Sequence, residues 1–158
     1  MAWSFSVETL LKKANPAMSE QTVVDTSFLV ALIDKNDVWH AKAVSITQRL
    51  EFNSVFFDCV MNETLSVLCK RAEEKHKTSQ AEKIIDTISR QVPHNSIVWT
   101  YLNIQEEYAP IVALMRMHKG ALNFHDALIA LSARRHQIKT IVSFDKDFDS
   151  INWLVRIH

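Results

Sequence analysis

The hydrophobic positions of this chain switch repeatedly between short apolar runs of strand length and the roughly 3.6-residue period of a helix. Trp3, Val7, Leu10, Leu11 and Ala14 recur at helical spacing until Asn15-Pro16 stops the pattern. This predicts an N-terminal helical extension over residues 1–20, docked on the domain or on a neighbouring subunit, and one main domain over 21–158. Within that domain Thr22-Val23-Val24-Asp25 is a short apolar run closed by an acid, and helices are expected over Phe28–Asp34 and Trp39–Phe52. Ser54–Phe57 reads as a second strand and Val60–His76 as a long helix. Ser79, with Glu82 three residues on, is expected to cap a further helix ending before Pro93. Ser96–Tyr101, rich in β-branched and aromatic residues, reads as a third strand. Helices over Gln105–His118 and Phe124–His136 follow, then strands over Thr140–Ser143 and Trp153–Ile157. Alternation of this kind predicts an α/β fold: a parallel sheet of four to five strands covered by helices on both faces. Right-handed crossovers then bring every strand's C-terminal end to one edge, where such folds keep their sites.

Composition narrows the chemistry. The 158 residues include a single glycine, Gly120, where average usage of roughly 7% would give about eleven. Phosphate-binding loops of the Walker type, dinucleotide fingerprints and the GxSxG elbow all need more, so any catalysis rests on side chains or on metals they hold. Turns that glycine often fills must use other residues, and His136 and Asn95 are the side chains expected to accept a positive φ. Eighteen basic and eighteen acidic residues cancel, so no global field draws the chain to a polyanion. No apolar run reaches membrane-spanning length, no secretory leader is expected, and Cys59 and Cys69 lie ten apart on one expected helix, beyond disulfide reach. A cytoplasmic location fits these features.

Four acids stand out, two of them at the edge where this fold concentrates function. Asp25 closes the first strand and Asp145 follows the fourth, although either is also an ordinary helix-capping residue. Asp126 opens Ala127-Leu128-Ile129-Ala130-Leu131, a stretch apolar all round and therefore buried. Asn123 would cap that helix and Asp126 would complement its dipole, yet no Arg or Lys lies between Gly120 and Arg134 to neutralise it, and a metal would do so. Glu63 lies in the first turn of the long helix, beside the Val60/Val67 apolar stripe.

Val-Val-Asp25-Thr-Ser27-Phe-Leu, Asn-Glu63-Thr-Leu-Ser-Val-Leu, His-Asp126-Ala-Leu-Ile-Ala-Leu and Ser143-Phe-Asp145-Lys-Asp147-Phe occur in this order. Together they resemble the motifs of PIN-domain ribonucleases, most closely the VapC-like toxins of type II toxin–antitoxin pairs, over about residues 22 to 157. Asp-Val-Trp-His40-Ala-Lys-Ala is similar to the segment that follows the first helix in such toxins. The resemblance implies a Mg2+- or Mn2+-dependent endoribonuclease, an RNA substrate, a cognate antitoxin and a homodimer. It assigns metal binding and catalysis to Asp25, Glu63, Asp126 and Asp145, with supporting roles for Ser27, Ser143 and Asp149. All-oxygen donors suit such hard cations, and carboxylates brought close together would otherwise raise one another's pKa. Setting those four acids aside leaves 18 basic against 14 acidic residues. The phosphate-binding candidates are Lys70, Arg71, Arg116, Lys119, Arg134, Arg135 and Lys146, and Trp39 and Phe144 are candidates for base stacking, with core packing the stronger reading for Phe144.

Other readings fall away on particular residues. Asp145, Asp147 and Asp149 imitate the start of a calcium loop, but Ser150 and Arg156 stand where Gly and Glu are required. Asp25-Thr26-Ser27 lacks the second acid of a DxD phosphatase motif, and the third strand carries no phosphoacceptor acid. The histidines show no zinc-binding spacing, and His125 reads as packed or solvated. The remaining alternative to an active nuclease is a PIN-type module that binds RNA or a partner with little catalysis.

Overall fold

The computed structural model describes residues 20–49, 53–76, 78–92 and 94–158. The expected N-terminal helix over Trp3–Ala14 lies outside these residues. The sheet has five parallel strands, β1 (Gln21–Val24), β2 (Asn53–Phe57), β3 (Ile97–Val98), β4 (Thr140–Val142) and β5 (Val155–Ile157), in the spatial order β3-β2-β1-β4-β5. Six α-helices accompany it among the described residues: α1 (Thr26–Ile33), α2 (His40–Arg49), α3 (Asp58–Glu74), α4 (Thr78–Gln91), α5 (Ile104–Met117) and α6 (Phe124–Arg135). Right-handed crossovers place the helices after β1 and β2 on one face and those between β3 and β4 on the other.

β1 is central, and its Thr22, Val23 and Val24 are all buried, as a strand covered on both faces requires. Its register is carried by Val23 opposite Val55 on one side and Ile141 on the other. The Thr22 and Thr140 hydroxyls are 2.8 Å apart across the β1–β4 seam. Phe28, Phe56, Phe57 and Phe148 are fully buried, each burial contributing about 1.5–3 kcal/mol. α6 is buried from Asp126 through Ala130, as its all-round apolar sequence predicts. Cys59 and Cys69 are both free and both on α3.

Several boundaries depart from the sequence reading for identifiable reasons. The third strand stops at Val98 instead of continuing to Tyr101. The cause is Asp58, buried at the start of α3. Its Oδ1 accepts from the N–H of Cys59 and of Thr100, both at 2.9 Å, and from the Thr100 hydroxyl, while Oδ2 accepts from Tyr101 N–H at 3.0 Å. The amides that would have extended the β2–β3 ladder are turned to this carboxylate. Ser79 falls inside α4, which begins one residue earlier, so it is not the cap.

The positive-φ residues also differ from those expected. His136 (φ −83°) is the right-handed C-cap of α6 and Asn95 lies in a short 3₁₀ turn, whereas His76, Lys119 and Gln137 adopt the left-handed conformation. At Gln137 the register is set by Ile138, a buried side chain whose N–H reaches back to Ala133 O at 2.8 Å. Gly120 N–H does the same to Met115 O at 2.9 Å, with Lys119 in the left-handed position before it. Such reverse closures fix which residue must turn left-handed.

Asp58→Ala should lower the unfolding free energy by about 3 kcal/mol in urea denaturation, because it strands three amides and a hydroxyl around a buried position. Asp58→Asn should recover part of this. A loss well under 1 kcal/mol for the alanine variant would contradict the structural role assigned to this carboxylate.

Candidate functional site

The chain's direction of travel across the sheet reverses between β1 and β4, and the ends of these strands open a cleft of about 460 Å3. Asp25 leaves β1 with its N–H donating to Val142 O at 3.1 Å, and it caps α1. Its Oδ2 accepts from the Ser27 hydroxyl at 2.6 Å, the Ser27 N–H at 3.1 Å and the Ser143 hydroxyl at 2.7 Å. Ser27 Oγ in turn accepts from Phe144 N–H at 3.0 Å, and Ser143 Oγ from Asp145 N–H at 2.9 Å. One buried carboxylate thus ties the first turn of α1 to the segment leaving β4. Burial pushes the Asp25 carboxyl up against the opposing pull of these serine donors.

Asp126 is the third residue of α6, and its position is set by a reciprocal cap. Its N–H donates to Asn123 Oδ1 at 3.0 Å, and its Oδ2 accepts from Asn123 N–H at 2.9 Å. Burial, reinforced by the nearby carboxylates of Asp145, Asp25 and Asp147, outweighs the Asn123 amide and pushes this carboxyl up to about 6. Asp145 caps a 3₁₀ turn by accepting from Asp147 N–H at 2.9 Å. Asp126, Asp145 and Asp147 each present a carboxylate oxygen within 4.8 Å of the others. Glu63 reaches the cleft from α3, where its Oε2 accepts from the Thr26 hydroxyl at 3.0 Å and lies 3.9 Å from His125 Nδ1. His125 Nε2 is 3.1 Å from the Tyr101 hydroxyl.

Asp25, Glu63, Asp126 and Asp145 therefore line one cleft, with Ser27 beside them and Ser143 bonded to Asp25. Asp149 stands apart: its two oxygens are each 2.7 Å from Arg156 guanidinium nitrogens. Of the seven phosphate-binding candidates Arg71 alone lines the cleft, and its NH1 donates to Asp34 at 3.0 Å and Asp37 at 2.9 Å. Arg135 pairs with Glu107 and Arg134 lies 4.9 Å over the Trp153 ring, while Lys70, Arg116, Lys119 and Lys146 are exposed. The sequence reading gives no site role to Asp147 or Thr26, although the spacing Asp145-Lys-Asp147 puts two acids on one tight turn. The donor set fits a hard divalent cation. It is all oxygen, it crowds like charges, and the one cation among the cleft-lining residues is already bound to two other carboxylates.

The PIN domain family model matches residues 22–154, and the chain belongs to that family. Solved structures that share the fold include three toxin or toxin–antitoxin proteins. The chain superposes on VapC20 of Mycobacterium tuberculosis, a toxin that cleaves the sarcin–ricin loop, with a TM-score of 0.68 at 20% identity, covering 86% of this chain and 98% of that one. VapBC2 of Rickettsia felis, bound to a promoter DNA fragment, gives 0.59 at 16% identity, covering 87% and 97%. A toxin–antitoxin complex of Klebsiella pneumoniae gives 0.54 at 20% identity, covering 85% and 95%. No curated protein matches the chain significantly. Among the described residues no helix is long and apolar enough to cross a membrane.

Because the folded chain holds the Asp126 proton up to about pH 6, against an ordinary 3.8, stability associated with this group is lost as pH rises through that window. Metal-free Asp126→Asn protein should therefore melt higher than the parent at pH 7.5, and the gain should vanish near pH 4. Thermal denaturation in chelator at the two pH values checks this; an equal gain at both would show that ionisation of the buried Asp126 carboxyl is not its cause.

Proposed function

We propose that the cleft is the active centre of a metal-dependent endoribonuclease that hydrolyses RNA phosphodiester bonds and is held in check by a cognate antitoxin protein. The observation that carries this reading is the convergence of Asp25, Glu63, Asp126 and Asp145 on one cleft with no free basic side chain among its lining residues to balance them. Asp126 and Asp145 would hold Mg2+ or Mn2+, with Asp25 and Glu63 joining directly or through water and Asp147 offering a further oxygen. When bound, such an ion lowers the pKa of its water and stabilises charge developing on the scissile phosphate.

The chain's own residues orient that set. Ser27 and Ser143 occupy Oδ2 of Asp25, so the carboxylate is fixed with its other oxygen outside this serine cluster. Thr26 fixes Glu63, and Asn123 fixes Asp126. Orienting hydrogen bonds of this kind typically matter nearly as much as the ligands themselves. Exposed Lys146, next to Asp145, and the more distant Lys70, Arg116 and Lys119 would meet the RNA backbone. The antitoxin partner is supported by the likeness to VapBC2 and to the Klebsiella complex. A homodimer belongs to the same reading, with exposed Trp99, Leu102, Tyr108 and Met117 as the apolar side chains a second copy would cover.

The full chain incubated with single-stranded and structured RNAs should release cut products in Mg2+ or Mn2+ and none in chelator. Asp25→Asn and Asp126→Asn should abolish them, and Ser143→Ala should slow them by about 10- to 100-fold. Folded protein that cuts nothing in either metal would favour a non-catalytic RNA-binding or assembly module, and normal cutting by Asp126→Asn would refute the site.

A further inference from the structure

The loop joining α1 to α2 carries a half-exposed indole to the rim of the cleft and holds it there firmly. Asp34 closes α1 through its N–H to Val30 O at 2.8 Å, and its Oδ1 accepts from Asn36 N–H at 3.0 Å. Burial raises the Asp34 carboxyl, but the Asn36 amide and the Arg71 guanidinium outweigh it and leave it below the ordinary value. Asp37 Oδ1 accepts from Trp39 N–H at 2.9 Å, and its Oδ2 takes the same Arg71 NH1 that binds Asp34. His40 Nδ1 lies 2.8 Å from Ala31 O. Arg71, on α3, thus clamps both ends of the turn that presents Trp39.

Trp39 remains 47% exposed although its ring is stacked on Phe144, with centroids 5.2 Å apart and planes 16° from parallel. Phe144 is backed by Phe28 at 5.6 Å, and its N–H is held by Ser27 Oγ, the hydroxyl that also binds Asp25. Lys42 Nζ lies 5.5 Å from the Trp39 centroid and 6.0 Å from that of Phe144. Being nearly equidistant from two rings 5.2 Å apart, the ammonium flanks the pair and does not cover the outer face of the indole.

We propose that the outer face of Trp39 is a stacking platform for one unpaired nucleobase, with Lys42 placed for a neighbouring phosphate. This rests on the ribonuclease reading of the cleft, and it adds a substrate requirement: a base outside a duplex beside the scissile bond. Three features favour a nucleobase. The open face is flat and pre-organised, so little ordering cost accompanies binding. A cation sits beside it. Through Phe144 it is built on the same serine–carboxylate cluster that would position the phosphate.

The test measures fluorescence anisotropy of a labelled single-stranded RNA of mixed sequence, and of the same strand annealed to its complement. Both are titrated with full-length chain carrying Asp126→Asn to prevent cutting. Adding Trp39→Ala should weaken single-strand binding by about 5- to 100-fold and leave duplex binding unchanged. Trp39→Phe should retain most of the affinity, whereas Trp39→Leu, apolar but without a π face, should not. On the cleaving chain the same substitution should raise KM and spare kcat. Should Trp39→Ala fail to fold, the chain with its tryptophan intact should discriminate against an abasic strand of the same length by a similar factor. Unchanged single-strand affinity, equal loss on duplex, or equal behaviour of the Phe and Leu variants would overturn the platform. So would loss of antitoxin capture with RNA binding intact, which would make this face a protein-docking site. Failure of the ribonuclease reading is seen separately, as absence of cleavage by the parent chain.

Discussion

A carboxylate buried at the end of the central strand must find donors, and how Asp25 does so organises the whole functional edge. Its charged form is disfavoured by burial, so three donors converge on one of its oxygens, two from Ser27 and one from Ser143. Those serines belong to segments 116 residues apart in the chain, and their hydroxyls are 3.1 Å from each other. Because each hydroxyl also accepts a backbone N–H, from Phe144 and from Asp145, the course of the chain after β4 is set by the same cluster. The placement of Asp145, and through it of Asp147, follows from how Asp25 is satisfied.

A site built this way is poised and not relaxed. Asp126 is held near Asp145 and Asp147 by a helix cap that cannot move without unwinding the first turn of α6. Burial first, and then the like charges of Asp145, Asp25 and Asp147, raise its proton affinity against the pull of the Asn123 amide. Stability given up for such crowding is regained by any cation the cluster takes, since a ligand that binds only the folded state stabilises it. The scarcity of glycine is consistent with this plan. Phosphate would be met by side chains, and the tight turns at Lys119 and Gln137 are forced by helix-closing hydrogen bonds.

Much of this was legible in the sequence. The alternation of apolar runs with helical periods predicts the parallel sheet, and acids bordering apolar runs single out Asp25, Asp126 and Asp145, which the fold brings to one cleft. Less legible were roles that depend on a distant partner. Asp58 follows β2 as Asp25 follows β1, with the same signal of an acid after an apolar strand, yet its partners are Thr100 and Tyr101 and it ends a strand instead of lining the cleft. Arg71 reads in the sequence as a phosphate-binding candidate because its partners Asp34 and Asp37 are more than thirty residues away. Thr26 was invisible for the same reason: its partner, Glu63, lies on another helix. Local pattern announces that a charge is buried, while tertiary contact decides which neighbour neutralises it.

A carboxylate cluster of this kind is expected to take up a hard divalent cation. Electron paramagnetic resonance of free Mn2+ titrated with the metal-free chain at pH 7.5 tests it without reference to any RNA. The free-ion signal should be lost saturably, with competition by Mg2+, and the loss should be largely abolished by Asp126→Asn. Mn2+ that stays free, or is bound equally well by the Asp126→Asn chain, would contradict it.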